Sequence, residues 1–167
     1  MSKYLFALLP ILFTLSGCSD LSTSPADRRF NISFKYGVGG RNELDTFHNE
    51  FTKDLLLDGT ITVPFVLSDA ELQSIESKLV QIGFFDYPDV IRPIPSDTIV
   101  SFDPSALYEF EVRRDDFTKN LVWDTGLTAL HPSEQVRKLQ DAITFITNII
   151  ESKPEYQRLP APRGHYL

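Results

Sequence analysis

Residues 58–83 read DGTITVPFVLSDAELQSIESKLVQIG, and the change of period inside this stretch decides the fold class. Asp58-Gly59 is a hairpin turn signal, because glycine accepts the positive φ that a tight turn demands. Ile61, Val63, Phe65 and Leu67 then recur at every second residue, the period of a strand with one buried face. Pro64 has no amide proton to donate, which places this strand at a sheet edge or at a bulge. At Ser68 the period changes. Ser68-Asp69-Ala70-Glu71 is a capping box, in which the serine side chain satisfies a free helix amide and the glutamate reaches back. Leu72, Ile75, Leu79 and Ile82 form a helical stripe, and Gly83 is placed to end it.

Upstream, Phe30, Ile32, Phe34 and Tyr36 alternate with Asn31, Ser33 and Lys35, which predicts a first strand, stopped by Gly37-Val38-Gly39-Gly40. A second alternating stretch sets Phe47, Asn49, Phe51, Lys53, Leu55 and Leu57 on one face and Thr46, His48, Glu50 and Thr52 on the other. Downstream, residues 84–97 carry Pro88, Pro93 and Pro95 and read as a crossover. Tyr108, Phe110 and Val112 alternate, Asp115-Asp116 makes a turn, and Phe117 to Asp124 runs back. A second helix is expected from His131-Pro132-Ser133, with Pro132 as its first helical residue. Its stripe is Val136, Leu139, Ile143, Ile146 and Ile150, and Pro154 closes it. Residues 154–167 are too rich in proline for a helix and are expected to lie extended, pinned by Tyr156, Leu159 and Tyr166.

Together these elements predict an α+β fold, an antiparallel sheet with two helices packed on one face. The polar positions Thr46, His48, Glu50 and Thr52 suit the other face, open to solvent or to a partner. The string Phe51 to Asp58 matches Phe117 to Asp124 at Phe, Thr, Lys, Leu and Asp, and each string precedes a turn, a brief apolar stretch and a helix. This order predicts a duplicated strand-strand-helix unit, with half-units at about 30–83 and 98–153; coincidence between short strings is the competing account.

No motif for catalysis stands out. The glycines at 37–40 lack the following helix that a phosphate loop needs, and read as a turn. His48, His131 and His165 are far apart in sequence, and only His131 with Glu134 has a spacing that two ligands on a helix use; His131 reads instead as a helix-start residue. Asp115 with Asp116, or Asp86 with Asp89, are the acid pairs that glycoside chemistry would need, although adjacent acids in turns are usually solvated. Trp123, on a strand face with Phe117 and Leu121, reads as core. No catalytic residue, metal ligand or cofactor is assigned from the sequence.

The N-terminus carries the sharpest signal. Lys3 is followed by an apolar run from Tyr4 to Leu15, interrupted by Pro10 and too short to cross a bilayer, which takes about 20 residues. The run ends in Leu15-Ser16-Gly17-Cys18. This segment resembles a bacterial lipoprotein precursor, whose lipobox reads Leu, a small residue, Gly or Ala, then Cys. The resemblance implies a signal peptide over residues 1–17, cleavage between Gly17 and Cys18, and a diacylglycerol on Cys18, the chain's one cysteine. Several acyl chains anchor a protein stably where one binds only marginally. Residues 18–29, rich in Ser, Thr, Pro and Asp, read as a flexible tether, and residues 30–167 as a single domain. The lipoprotein sorting pattern further implies that Ser19, rather than aspartate, after Cys18 sends the protein to the outer membrane, facing the periplasm, if the source has two membranes. The last quarter of the chain is also similar to small bacterial lipoproteins of uncharacterised function, a likeness that implies no activity.

The net charge of −7, with basic residues scattered, argues against nucleic acid and against flat adhesion to anionic lipid. Two functions remain. One is a non-catalytic binding or structural module, anchored in the bilayer through acylated Cys18 and meeting an envelope protein or cell-wall partner. The other is an envelope hydrolase acting on cell-wall material through acidic residues.

Overall fold

The structure, a computed structural model, describes residues 28–93 and 98–166. The fold is α+β. Its main sheet has seven strands in the order β4-β3-β2-β1-β7-β8-β5: β1 (Phe30–Tyr36), β2 (Asn42–Asp45), β3 (Glu50–Asp54), β4 (Thr60–Pro64), β5 (Val90–Ile91), β7 (Leu107–Arg114) and β8 (Phe117–Asp124). Pairing is antiparallel except between β5 and β8. A separate two-stranded arm joins β6 (Ile99–Ser101) to β9 (Leu127–Ala129). The helices are α1 (Asp69–Ile82) and α2 (Glu134–Ser152), with a 3-10 turn at Phe84–Asp86 and a single α-turn, α3 (Pro154–Gln157).

Alternation in β1 places Phe30, Ile32 and Phe34 in the core, where Phe34 stacks on Tyr36 and Phe110. Leu44, Phe51, Phe110, Val112, Leu121 and Trp123 join them from the same sheet face. The helices close over that face with the predicted stripes. Leu72, Ile75, Leu79 and Ile82 of α1, and Leu139, Ile143, Ile146 and Ile150 of α2, are all buried in this one cluster. The capping box forms as expected, the Glu71 carboxylate accepting from the Ser68 amide at 2.7 Å, and Gly83 ends α1 at φ 73°. As Pro64 predicted, β4 is an edge strand.

Several expectations need correction. The second alternating stretch is two strands joined by a turn at 46–49, and Asn42 to Asp45 adds a strand. Thr46 is buried, because its hydroxyl both accepts from the Ile32 amide and donates to the Ile32 carbonyl. β3 stops at Asp54, whose carboxylate accepts from the Leu56 amide and turns the chain at Leu56 (φ 60°), leaving Leu57 80 % exposed. The crossover at 84–97 contributes the parallel strand β5. Ser133, not Pro132, stands just before α2, with its hydroxyl accepting from the Val136 amide.

Pro154 opens the turn of α3, since proline at a first helical position loses no hydrogen bond, so the tail is not wholly extended. It is nonetheless pinned: Tyr156 and Leu159 pack on the core, Tyr166 hydrogen-bonds Asp54, and Arg163 pairs with Asp58. Trp123 is buried against Tyr108, whereas Phe117 is half exposed beside Phe85. Each half runs four strands and then a helix, β1 to β4 before α1 and β6 to β9 before α2, but their pairing differs. β4 stays beside β3, while β9 leaves the main sheet for β6.

Candidate functional site

With the helices on one side, the other face of the sheet is open, and the strand registers define what stands on it. One row of side chains crosses all seven strands: Val90, Val122, Glu109, Lys35, Glu43, Thr52 and Thr62. The next row runs Asn120, Glu111, Ser33, Asp45, Glu50 and Pro64. Five carboxylates and one ammonium therefore occupy two adjacent rows, with neighbouring strands about 4.8 Å apart.

Their partners are few. Lys35 Nζ lies 3.7 Å from Glu109, and the Ser33 hydroxyl donates to Glu43 at 2.9 Å. Asp45 and Glu50 are directly opposite one another, a cross-strand arrangement that costs stability for like charges. Asp45 also holds the β2–β3 turn. Its carboxylate accepts from the amides of Phe47 (2.8 Å) and His48 (3.1 Å) and meets His48 Nδ1 at 2.7 Å. The turn lays the Phe47 ring beneath the Arg113 guanidinium, 5.1 Å from the ring centre.

Ser33, Lys35, Glu43 and Phe47 help line a groove of about 670 Å³ reaching from His48 and Asp45, past Glu109 and Glu111, to Asn120 and Val122. Val122 also lines a second hollow of about 520 Å³ between the β5 edge and the arm, walled by Val90, Ile99 and Leu127 with Asp124 and Arg92 at its rim. Polar and apolar hollows thus meet at one side chain.

The Asp45 hydrogen bond and charge raise the His48 pKa above its ordinary value of 6.5, with smaller contributions from Glu50 and Glu43. Because the folded value is the higher one, the interaction stabilises the fold fully below the unfolded pKa and fades as pH rises through the folded value. Asp45→Asn should return the His48 midpoint toward 6.5 in an NMR titration. An unchanged midpoint would assign the shift elsewhere.

Of the residues singled out in the sequence, Trp123 and His131 line one hollow of about 570 Å³ between β5, the arm and the start of α2, while the acid pairs and the other histidines stand apart from it. Asp115 and Asp116 sit exposed on the β7–β8 turn, where Asp115 lies 3.8 Å from Arg29. Asp89 pairs with the buried Lys119, the charge that would otherwise be stranded in the core. His131 is exposed, His165 lies on the exposed tail, and Glu134 pairs with Lys138 at 2.7 Å. Among the described residues, no group of three or more His, Cys, Asp and Glu stands together as a metal site requires. Leu15, Ser16, Gly17, Cys18 and Ser19 lie outside the described residues.

Of the open face, the sequence reading foresaw Glu50 and Thr52 but not Lys35, Glu43, Glu109 and Glu111 as a set. The signal was present in the alternation of Glu109, Glu111 and Arg113 with Tyr108, Phe110 and Val112, but only the order of strands shows that they neighbour β1 and β2. Compared with known proteins, the chain matches no family model and no curated protein.

Proposed function

We propose that the chain is a lipid-anchored envelope lipoprotein whose domain is a non-catalytic binding module, offering the open sheet face to a protein or cell-wall partner. The observation that carries the anchor is Leu15-Ser16-Gly17-Cys18 at the end of a short apolar run behind Lys3. Arg28 donates to Asn49 at 3.0 Å and Arg29 to Glu76 at 3.0 and 3.1 Å, so the chain enters the fold at the end that carries the β2–β3 and β7–β8 turns. From Cys18 to Arg28 a chain spans at most about 35 Å, which keeps the domain close to the bilayer. The strand β8 runs away from that end, so the arm and its apolar hollow lie at the opposite end of the sheet from Arg28. Among the described residues no helix is long and apolar enough to cross a membrane.

In a source with two membranes, gradient fractionation should recover the wild-type protein with outer-membrane markers, and Ser19→Asp should move it to the inner membrane. Recovery of the wild type with inner-membrane markers refutes the sorting, and recovery with soluble proteins refutes the anchor.

A further inference from the structure

The open face of the sheet joins an acidic groove to an apolar hollow, and the join is a single residue, Val122. We propose that this face binds a basic, extended polypeptide segment, seating one apolar side chain between Val90, Val122 and Leu127 and its cationic side chains over Glu109, Glu111 and Glu43. The proposal rests on the reading of the domain as a binding module and names its partner.

Charge complementarity selects the occupant. Of the side chains in the two central rows, five are carboxylates against the one ammonium of Lys35, and Glu111 has no hydrogen-bond or ion-pair partner among the described residues. Asp45 already meets His48, so the carboxylates left for a cationic ligand are Glu43, Glu109 and Glu111, with Glu50 at the margin. An anionic ligand would add to the repulsion among them instead.

The groove's chemistry also disfavours a sugar. Saccharides stack an apolar ring face on a flat aromatic platform, and neither row carries an aromatic residue. Phe47, which also lines the groove, carries the Arg113 guanidinium over one ring face. The aliphatic walls at Val90, Val122, Ile99 and Leu127, with Val90, Ile99 and Leu127 each roughly half exposed, fit an aliphatic side chain. Long-range attraction between acidic groove and basic segment makes association fall with salt.

The test uses the full-length protein in nonionic detergent micelles and a fluorescent lysine–serine peptide carrying one leucine, followed by anisotropy. Binding is expected, weakening as salt rises. The double variant Glu109→Gln/Glu111→Gln should weaken it about fivefold, and Val122→Ser or a peptide with its leucine replaced by serine should weaken it further. Asp141→Asn/Glu151→Gln removes the same charge from the exposed side of α2, across the sheet from the groove, and should leave affinity within about twofold, since exposed charges far from the site are largely screened.

Absence of binding overturns the proposal, as do equal losses in the two double variants or equal binding of a glutamate-for-lysine peptide. So does sedimentation of the protein with purified peptidoglycan to the same extent in the wild type and in Glu109→Gln/Glu111→Gln, without peptide competition. The measurement does not depend on the anchor. A protein that binds the peptide but takes no lipid label loses the anchor alone, and a labelled protein that does not bind loses this inference alone.

Discussion

Leu139→Asp should abolish the fold, giving no cooperative transition in thermal unfolding followed by far-ultraviolet circular dichroism. Leu139 is fully buried on α2 in the cluster that joins both helices to the sheet. Truncating a buried leucine costs about 2–5 kcal/mol by itself. A carboxylate at the same place adds several kcal/mol of desolvation with no partner provided, or ionises only at a raised pH. Together these are comparable with the roughly 5–15 kcal/mol that holds a domain of this size. Thr144→Asp on the exposed side of the same helix should shift stability by no more than about 0.5 kcal/mol. Equal tolerance of the two substitutions would show that α2 does not bury the Leu139 stripe.

The helices were legible because their signals are local. Ser68, Glu71 and Gly83 mark the ends of α1 by hydrogen bonds within one turn, and the α2 stripe needs nothing but its own period. The strands were legible where one face is core: Phe30 to Tyr36 alternate as the sheet requires. Legibility failed where a side chain bonds to the backbone across a turn. Asp54 ends β3 by accepting from Leu56, and Asp45 folds the segment after β2 by accepting from Phe47 and His48, so a single alternation through residues 47–57 was broken into strand and turn.

Inward-facing Lys53 and Lys119 show the same limit. Their strand positions are core positions, and they are tolerated there because Lys53 lies 4.4 Å from the Tyr156 ring centre and Lys119 meets Asp89. Both partners are remote in sequence. The open face was anticipated as polar, but its charge is a property of strand order. Glu109 stands opposite Lys35 and Glu111 opposite Ser33 only because β7 pairs with β1 across the connection that contains α1, and no local pattern encodes that adjacency.

Cys18→Ala should change the protein's location without changing its domain. The substitution removes the one thiol in the chain, the atom the lipobox resemblance makes the acceptor of diacylglycerol, and it lies ten residues before Arg28, the first described residue, which donates to Asn49. Two or more acyl chains hold a protein to a bilayer essentially permanently, so their loss is expected to move nearly all of the protein out of the detergent phase in a phase-partition assay. The thermal unfolding midpoint, set by the core beneath the sheet, should stay the same. The most direct measurement is metabolic labelling with a palmitate analogue followed by detection on the purified chain: the lipoprotein account predicts label on the wild type and none on Cys18→Ala, and an unlabelled wild-type protein would contradict it.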